Sequence, residues 1–151
     1  MLTPGYFRNE EATAELYDGE WLRTGDKAYA DEDGHFFFLG RLKDNVRRRG
    51  ENVSAWEVER VLDDHPAIVR SAIVGVSTDI GEEDIKAYVQ VREDQEIDFA
   101  ELSGWCRERM AYYQVPRYFE RIGHFQVTPT ERIRKELLPR GVEGAWDRDR
   151  Y

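Results

Sequence analysis

The spacing of apolar positions divides the chain into short strand-like and helix-like segments. Residues 1–20 are turn-rich and acidic, punctuated by Pro4, Gly5, Asn9 and Gly19. Trp21-Leu22 then reads as a short strand running into a tight turn at Gly25. Lys27 to Ala30 and His35 to Leu39 flank Asp31-Glu32-Asp33-Gly34, the pattern of a β-hairpin closed by a glycine-containing turn. A polar interval, Gly40-Arg41-Leu42-Lys43-Asp44, separates this hairpin from a second one. The second runs from Asn45 to Arg49, turns at Gly50-Glu51-Asn52 and returns through Val53.

Helical periodicity begins after Val53. Ser54-Ala55-Trp56-Glu57 has the form of a capping box, in which Ser and Glu satisfy each other's backbone amides. Val58, Val61, Leu62 and His65 fall on one helical face, and Pro66 ends the helix. Ile68 to Val76 is an almost unbroken apolar run, predicting a central strand covered on both faces. After a turn over Thr78 to Asp84, Ile85, Ala87, Val89 and Val91 alternate with Lys86, Tyr88, Gln90 and Arg92, predicting a half-buried strand. Asp98-Phe99-Ala100-Glu101 opens a second helix with Phe99, Leu102, Cys106 and Met110 on its inner face. Pro116 precedes a third strand, Arg117 to Ile122. A loop at Val127 to Thr130 leads to a short basic helix from Glu131 to Leu138, and Gly141 to Tyr151 is expected to be loose. The elements predict an α+β fold, a small few-stranded sheet with packed helices, preceded by a β-hairpin. The expected divisions are 1–40, 41–140 and a tail at 141–151.

Composition narrows the class. The 151 residues suit one domain, or one small domain with an appendage. A hydrophobic fraction of 40%, with four Trp, eight Tyr and seven Phe, fills a core and excludes wholesale disorder. No apolar run approaches a membrane span. The net charge of −9 excludes a global basic field for nucleic acid, leaving Arg47-Arg48-Arg49 as a local cationic patch. A single cysteine and no charged-then-apolar leader pattern point to the cytoplasm. Cys106 reads as a buried structural thiol, and no metal site is expected from the spacing of His35, His65 and His124.

Four stretches carry a resemblance. They are Trp21 to Asp26, Gly40 to Asp44, Arg49 to Val53 with Glu57 to Glu59, and Thr128-Pro129-Thr130-Glu131-Arg132-Ile133-Arg134-Lys135. In this order and spacing they resemble the adenylate-forming enzymes: acyl-CoA synthetases, peptide-synthetase adenylation domains and luciferases. Gly5 to Thr13 is similar to the family segment just upstream. Arg48-Arg49-Gly50-Glu51-Asn52 and Ala145-Trp146-Asp147-Arg148 most resemble carnitine/crotonobetaine-CoA-ligase-like members. The family's phosphate loop, adenine-binding segment and most of its acyl pocket lie upstream of these motifs. The resemblance therefore implies the mobile C-terminal lid domain of an acyl-CoA ligase, with residues 1–40 a remnant of the large domain, inactive alone. The implied reaction joins a carboxylate, ATP and CoA to give acyl-CoA, AMP and diphosphate, with Mg2+. The implied partner is the large N-terminal domain, and apolar Trp21 and Phe36 to Phe38, once covered by it, would favour self-association. Alternatives are a non-catalytic free-standing interaction module, or an adenylation enzyme with a carrier-protein acceptor.

The resemblance also implies roles. Asp26 would hold the AMP ribose, since a carboxylate accepts two bonds from a diol, and Arg41 would reach the same nucleotide. From spacing alone, Asp26 also reads as a turn aspartate and Arg41 as a surface arginine. Lys43 or Asp44 stands at the family's hinge. Arg47 and Arg49, alternating onto one face, and Gly50, lacking a Cβ, would meet CoA, although such a hairpin also reads as merely solvated. Family members carry a Gly-Lys pair in the last motif, whose lysine neutralises charge developing at the α-phosphate. Here Glu131 takes the Gly position and Arg132 the Lys position, with Lys135 a substitute cation close by.

Overall fold

The computed structural model describes residues 3–78 and 81–150, so Asp79 and Ile80 of the turn expected over Thr78 to Asp84 lie outside the described residues. The chain divides into two compact units between Lys43 and Asp44. The division falls later than the expected break after Gly40 because Arg41 still belongs to a strand, where it pairs in register with Asp26.

The first unit opens with helix α1, Glu10–Leu16, which the turn-rich reading did not anticipate. Asn9 caps it by accepting from the Ala12 amide at 3.0 Å, and Glu10 and Glu11 complement the positive end of the helix dipole. Two antiparallel ribbons follow. Strand β1, Tyr17–Asp18, pairs with β2, Trp21–Leu22. Strand β3, Asp26–Ala30, pairs with β4, Phe36–Arg41. Asp31 closes the β3–β4 turn, its Oδ1 accepting from the amides of Asp33 (3.0 Å) and His35 (2.8 Å). Trp21 and Phe36 are each 81% exposed, so the ribbons carry an uncovered aromatic face.

The second unit holds the core. Strands β5, Asn45–Arg48, and β6, Glu51–Ser54, form a hairpin whose two turn residues are Arg49 (φ +52°) and Gly50 (φ +81°). Two consecutive positive φ values match the twist of paired strands, as in a type I′ turn. The turn is thus one residue earlier than predicted, and Glu51 and Asn52 belong to β6. Helix α2, Ala55–Asp63, follows. The expected capping box does not close: Ser54 makes no side-chain cap bond, and Glu57 instead accepts from Gln114 Nε2 at 2.8 Å. Helix α3, Phe99–Arg109, does start on Asp98, which accepts from the Ala100 and Glu101 amides.

The main sheet comprises β7 (Ile68–Ser77), β8 (Glu83–Val91), β9 (Tyr118–Arg121) and β10 (Trp146–Asp147), in the order β10-β9-β8-β7. Strands β8 and β9 are parallel because α3 carries the chain across between them; the other pairs are antiparallel. One face packs on α2 and α3 through Val58, Leu62, Ile73, Val89, Leu102 and Phe119. The other is closed by Phe125 and Leu138 against Val74 and Tyr88. Among the described residues, no helix is long and apolar enough to cross a membrane.

Three expectations about this unit are corrected. Strand β7 is covered on both faces as expected but ends the four-stranded order instead of lying at its centre, and β8 is covered on both faces as well, so Lys86 and Tyr88 are buried despite their alternation with apolar residues. The cause is the segment after β9, which crosses their face. Tyr88 Oη donates to Pro139 O (2.6 Å), and Lys86 Nζ to Gly141 O (2.5 Å), beside Glu120 (2.7 Å). The tail is not loose, because Trp146 and Asp147 add a strand to β9, with Trp146 packed on Phe119 and Asp147 buried on Arg117. Finally, Glu131 to Leu138 is not helical. Bonds from Thr128 N to Arg132 O, Glu131 N to Thr128 O and Arg134 N to Gln126 O fold the segment into a small hairpin, leaving one 3-10 turn at Lys135–Leu137.

Two stability predictions follow from these contacts. Asp147→Asn is expected to lower the unfolding free energy by about 2 kcal/mol at neutral pH, the scale of charge-assisted hydrogen bonds. Burial alone would raise the Asp147 carboxyl pKa, but the Arg117 guanidinium, the Asp149 amide and Arg150 together outweigh it and hold the group below its ordinary value. Its contribution is full above the unfolded pKa and lost as pH falls through the depressed folded one. Urea melts across the acid range should show wild type and variant converging; a constant gap would contradict this. Glu131 sits at φ +61°, a left-handed conformation that favours glycine. Glu131→Gly is therefore expected to raise stability by about 0.5–1 kcal/mol, read in the same melts.

Candidate functional site

In the first unit, the Thr24-Gly25-Asp26 motif is folded onto Arg41. Gly25 takes φ +71°, and its carbonyl accepts from the Leu42 amide at 2.9 Å. This closes the turn and aligns the neighbouring side chains. Arg41 Nε lies 2.8 Å from Asp26 Oδ1, and Arg41 Nη1 donates to Thr24 O at 2.9 Å. Asp26 and Arg41 are each about one-third exposed, so the carboxylate keeps lone pairs facing solvent beside a fixed cation. The structure thus brings together two residues that the sequence analysis named separately. Among the described residues, the side chains spaced as metal donors are Asp31, Asp33 and His35. All are exposed, and Asp31 is already engaged in closing its turn. This cluster does not fit a nucleotide-bound Mg2+.

The second unit presents the β5–β6 hairpin. Arg47 and Arg49 are exposed, whereas Arg48 is 2% exposed. Strand alternation explains this: Arg48 shares a face with buried Val46. Arg48 Nη1 donates to Tyr113 O (3.1 Å) and Val115 O (2.7 Å). Its Nε lies 3.1 Å from Asp84 Oδ1, at ion-pair distance without hydrogen-bond alignment. Asp84 Oδ2 meets Arg117 Nη1 at 2.9 Å, and Arg117 Nε meets Asp147 Oδ1 at 3.0 Å. Charges therefore alternate from β5 through β8 to the tail strand. Burial pulls the Arg48 pKa down against Asp84, while the hydrogen bonds that Arg117 donates to Asp147 hold its own pKa above the usual value. At the turn itself, a Cβ on Gly50 would meet no atom within 4 Å, so the backbone is open to an approaching ligand. The Arg47 and Arg49 amides donate to Glu83 (3.1 Å) and Glu82 (3.2 Å), both arginine side chains are exposed, and the Arg49 guanidinium lies over the Tyr112 ring, 6.0 Å from its centroid.

The last motif forms the hairpin of Thr128 to Arg132. Thr128 Oγ1 accepts from the Arg132 amide at 3.2 Å, and Arg70 Nη2 donates to Glu131 O at 2.6 Å. The Arg132 side chain is exposed. Lys135, by contrast, is committed: its Nζ lies 2.6 Å from Glu59 Oε1 and 3.8 Å from Asp44 Oδ2. The same Glu59 oxygen accepts from the Ile73 amide at 2.7 Å. Burial raises the Glu59 carboxyl pKa, and Lys135 opposes that shift. Asp44 thus joins Lys135, while Lys43 is exposed at the end of the first unit.

Sequence analysis missed the residues that hold these elements in place: Arg48 as an interior group, Asp84, Arg117, Asp147 and Glu59. A signal for Arg48 existed, since a charge in phase with buried Val46 requires internal partners. Cys106 takes no part; burial pushes its thiol pKa up to about 12, which keeps it protonated and unreactive.

Comparison with known proteins matches this geometry to a family. The AMP-binding enzyme C-terminal domain matches residues 57–132. The crotonobetaine/carnitine–CoA ligase of Escherichia coli O8 (strain IAI1) is 39% identical over 140 residues, covering 92% of this chain and 25% of the relative. The ligase of the same name from Shigella sonnei (strain Ss046) is 38% identical with the same coverage. The chain thus spans about a quarter of the length of these relatives. Among solved structures, o-succinylbenzoate CoA synthetase from Bacillus subtilis, in complex with its acyl-adenylate intermediate, superposes with a TM-score of 0.82 at 28% identity. It covers 89% of this chain and 27% of its own. An amide bond synthetase from Marinactinospora thermotolerans superposes at 0.78 with 36% identity, covering 88% and 27%. With its α+β fold and these motifs, the chain belongs to the AMP-binding enzyme C-terminal domain family.

Proposed function

We propose that this chain is the lid portion of an ATP-dependent acyl-CoA ligase, converting a carboxylate, ATP and CoA into acyl-CoA, AMP and diphosphate in the cytoplasm. The observation that carries the reading is the Thr128–Arg132 hairpin, which keeps a left-handed backbone at Glu131 and directs an exposed Arg132 away from a pinned base. A cation on a stiff loop supplies preorganised stabilisation of charge developing between a carboxylate and an α-phosphate. Arginine adds a planar, two-pronged donor suited to phosphate.

The remaining roles are arranged around that cation. Asp26 accepts from the ribose hydroxyls, and Arg41 holds it in place while reaching the same nucleotide. The backbone at Lys43 and Asp44 supplies the hinge, which needs only a few exposed torsions. Arg47 and Arg49 meet CoA phosphates, and the open backbone at Gly50 lets the pantetheine arm pass. ATP with its Mg2+ and the acyl group bind chiefly to a large domain of the kind the relatives possess, so the isolated chain is inactive. The exposed aromatics of the first unit belong against that domain.

Calorimetric titration of the chain with ATP, AMP and CoA tests the proposal, alongside a chimera in which this chain replaces the matching quarter of the E. coli ligase. The expected result is no heat of nucleotide binding by the chain and CoA-dependent AMP release by the chimera. Saturable nucleotide binding by the isolated chain would instead assign it a site of its own, as a free-standing module. Amide formation without CoA consumption would assign an amine acceptor.

A further inference from the structure

We infer that Lys135 is a positioning residue, which with Glu59 ties the Arg132 hairpin to α2 and, through Asp44, to the start of the second unit. This rests on the reading of Arg132 given above, and it removes Lys135 from the groups that touch substrate.

The geometry carries the assignment. The Lys135 ammonium lies between two carboxylates, Glu59 at 2.6 Å and Asp44 at 3.8 Å, and its side chain is only 22% exposed. Glu59 is itself 16% exposed and fixed from its other side by the Ile73 amide of β7. A lysine held this way would have to leave a buried carboxylate without its counter-charge before reaching a phosphate, and that separation is costly. Arg132, three positions earlier in the sequence, is exposed instead.

The hairpin has two anchors on this unit. Arg70 of β7 holds the Glu131 carbonyl on one side, and Lys135 holds the downstream side. With both in place, the Arg132 Cα is fixed relative to α2 and β7. Asp44 adds a link of different character. It is the first residue of the second unit, so a hinge movement taken up in its own backbone torsions alters where its carboxylate points relative to Lys135. Lys135 therefore sits where a hinge movement and the placement of the Arg132 loop share one ammonium group.

The pair is tested with Lys135→Met, Glu59→Gln and the double variant, since Gln at 59 still accepts from the Ile73 amide while losing its charge. In the chain itself, amide hydrogen exchange over residues 128–134 is read. In the chimera, carboxylate-dependent pyrophosphate–ATP exchange is compared with CoA transfer from supplied acyl-adenylate. Positioning predicts that each single variant speeds amide exchange several-fold and lowers pyrophosphate exchange several-fold. It also predicts that the double variant adds nothing further and that CoA transfer is preserved. A Lys135→Met defect with Glu59→Gln silent would overturn the inference and return Lys135 to the substrate. Unchanged amide exchange in all three variants would overturn it as well. If the unmodified chimera shows no pyrophosphate exchange, the proposed function fails, while amide exchange in the chain still decides the anchoring.

Discussion

A guanidinium group placed in a strand between a buried valine and an exposed turn must find acceptors inside the protein, and the second unit is organised around that requirement. Arg48 is in phase with Val46, so β5 cannot pack without burying both. Two carbonyls from the stretch after α3 and one carboxylate from β8 receive it. That carboxylate, Asp84, is shared with Arg117, which in turn grips Asp147 of the tail strand. Elements far apart in sequence are held in one register by alternating charges. Such a network contributes little net stability over an apolar substitute, but breaking any one link strands a buried charge. Its consequence is geometric: the hairpin bearing Arg47, Arg49 and Gly50 is mounted on a fixed base.

The same sorting recurs among the other cations. Lys86 is buried between Glu120 and the Gly141 carbonyl, and Lys135 is held by Glu59, so both serve to pin the chain. Arg47 near the end of β5, Arg49 in the turn that follows it and Arg132 in the last hairpin are among the cations that stay exposed. In a protein with a net charge of −9, these local cations are set against a largely acidic surface. In the proposed function they are where a nucleotide or CoA phosphate would find attraction without a basic field over the whole molecule.

Much of this was legible in the sequence. Period-2 alternation and turn residues located both hairpins, and the apolar stripe with Pro66 and the Asp98 cap located α2 and α3. The resemblance to adenylate-forming enzymes, not spacing alone, singled out Asp26 and Arg41 before their contact was known. The failures share a cause, because each depended on a distant partner. Lys86 and Tyr88 look solvent-facing until the segment after β9 is laid over them. Trp146-Asp147 is too short to show periodicity, and its strand exists only because β9 offers an edge. Lys135 reads as a spare catalytic cation until Glu59 is placed beside it. Helix α1 is the exception, since Asn9 followed by Glu10-Glu11 is a local start signal that was outweighed by the surrounding glycines and proline.

The central claim is that Arg132 supplies the charge for adenylation on a loop built to present it. The most direct measurement is carboxylate-dependent pyrophosphate–ATP exchange by the chimera carrying Arg132→Ala, set beside CoA transfer from a supplied acyl-adenylate. Loss of one preorganised cation predicts that exchange falls by about a hundredfold or more while CoA transfer persists. Exchange that survives the substitution unchanged would contradict the account.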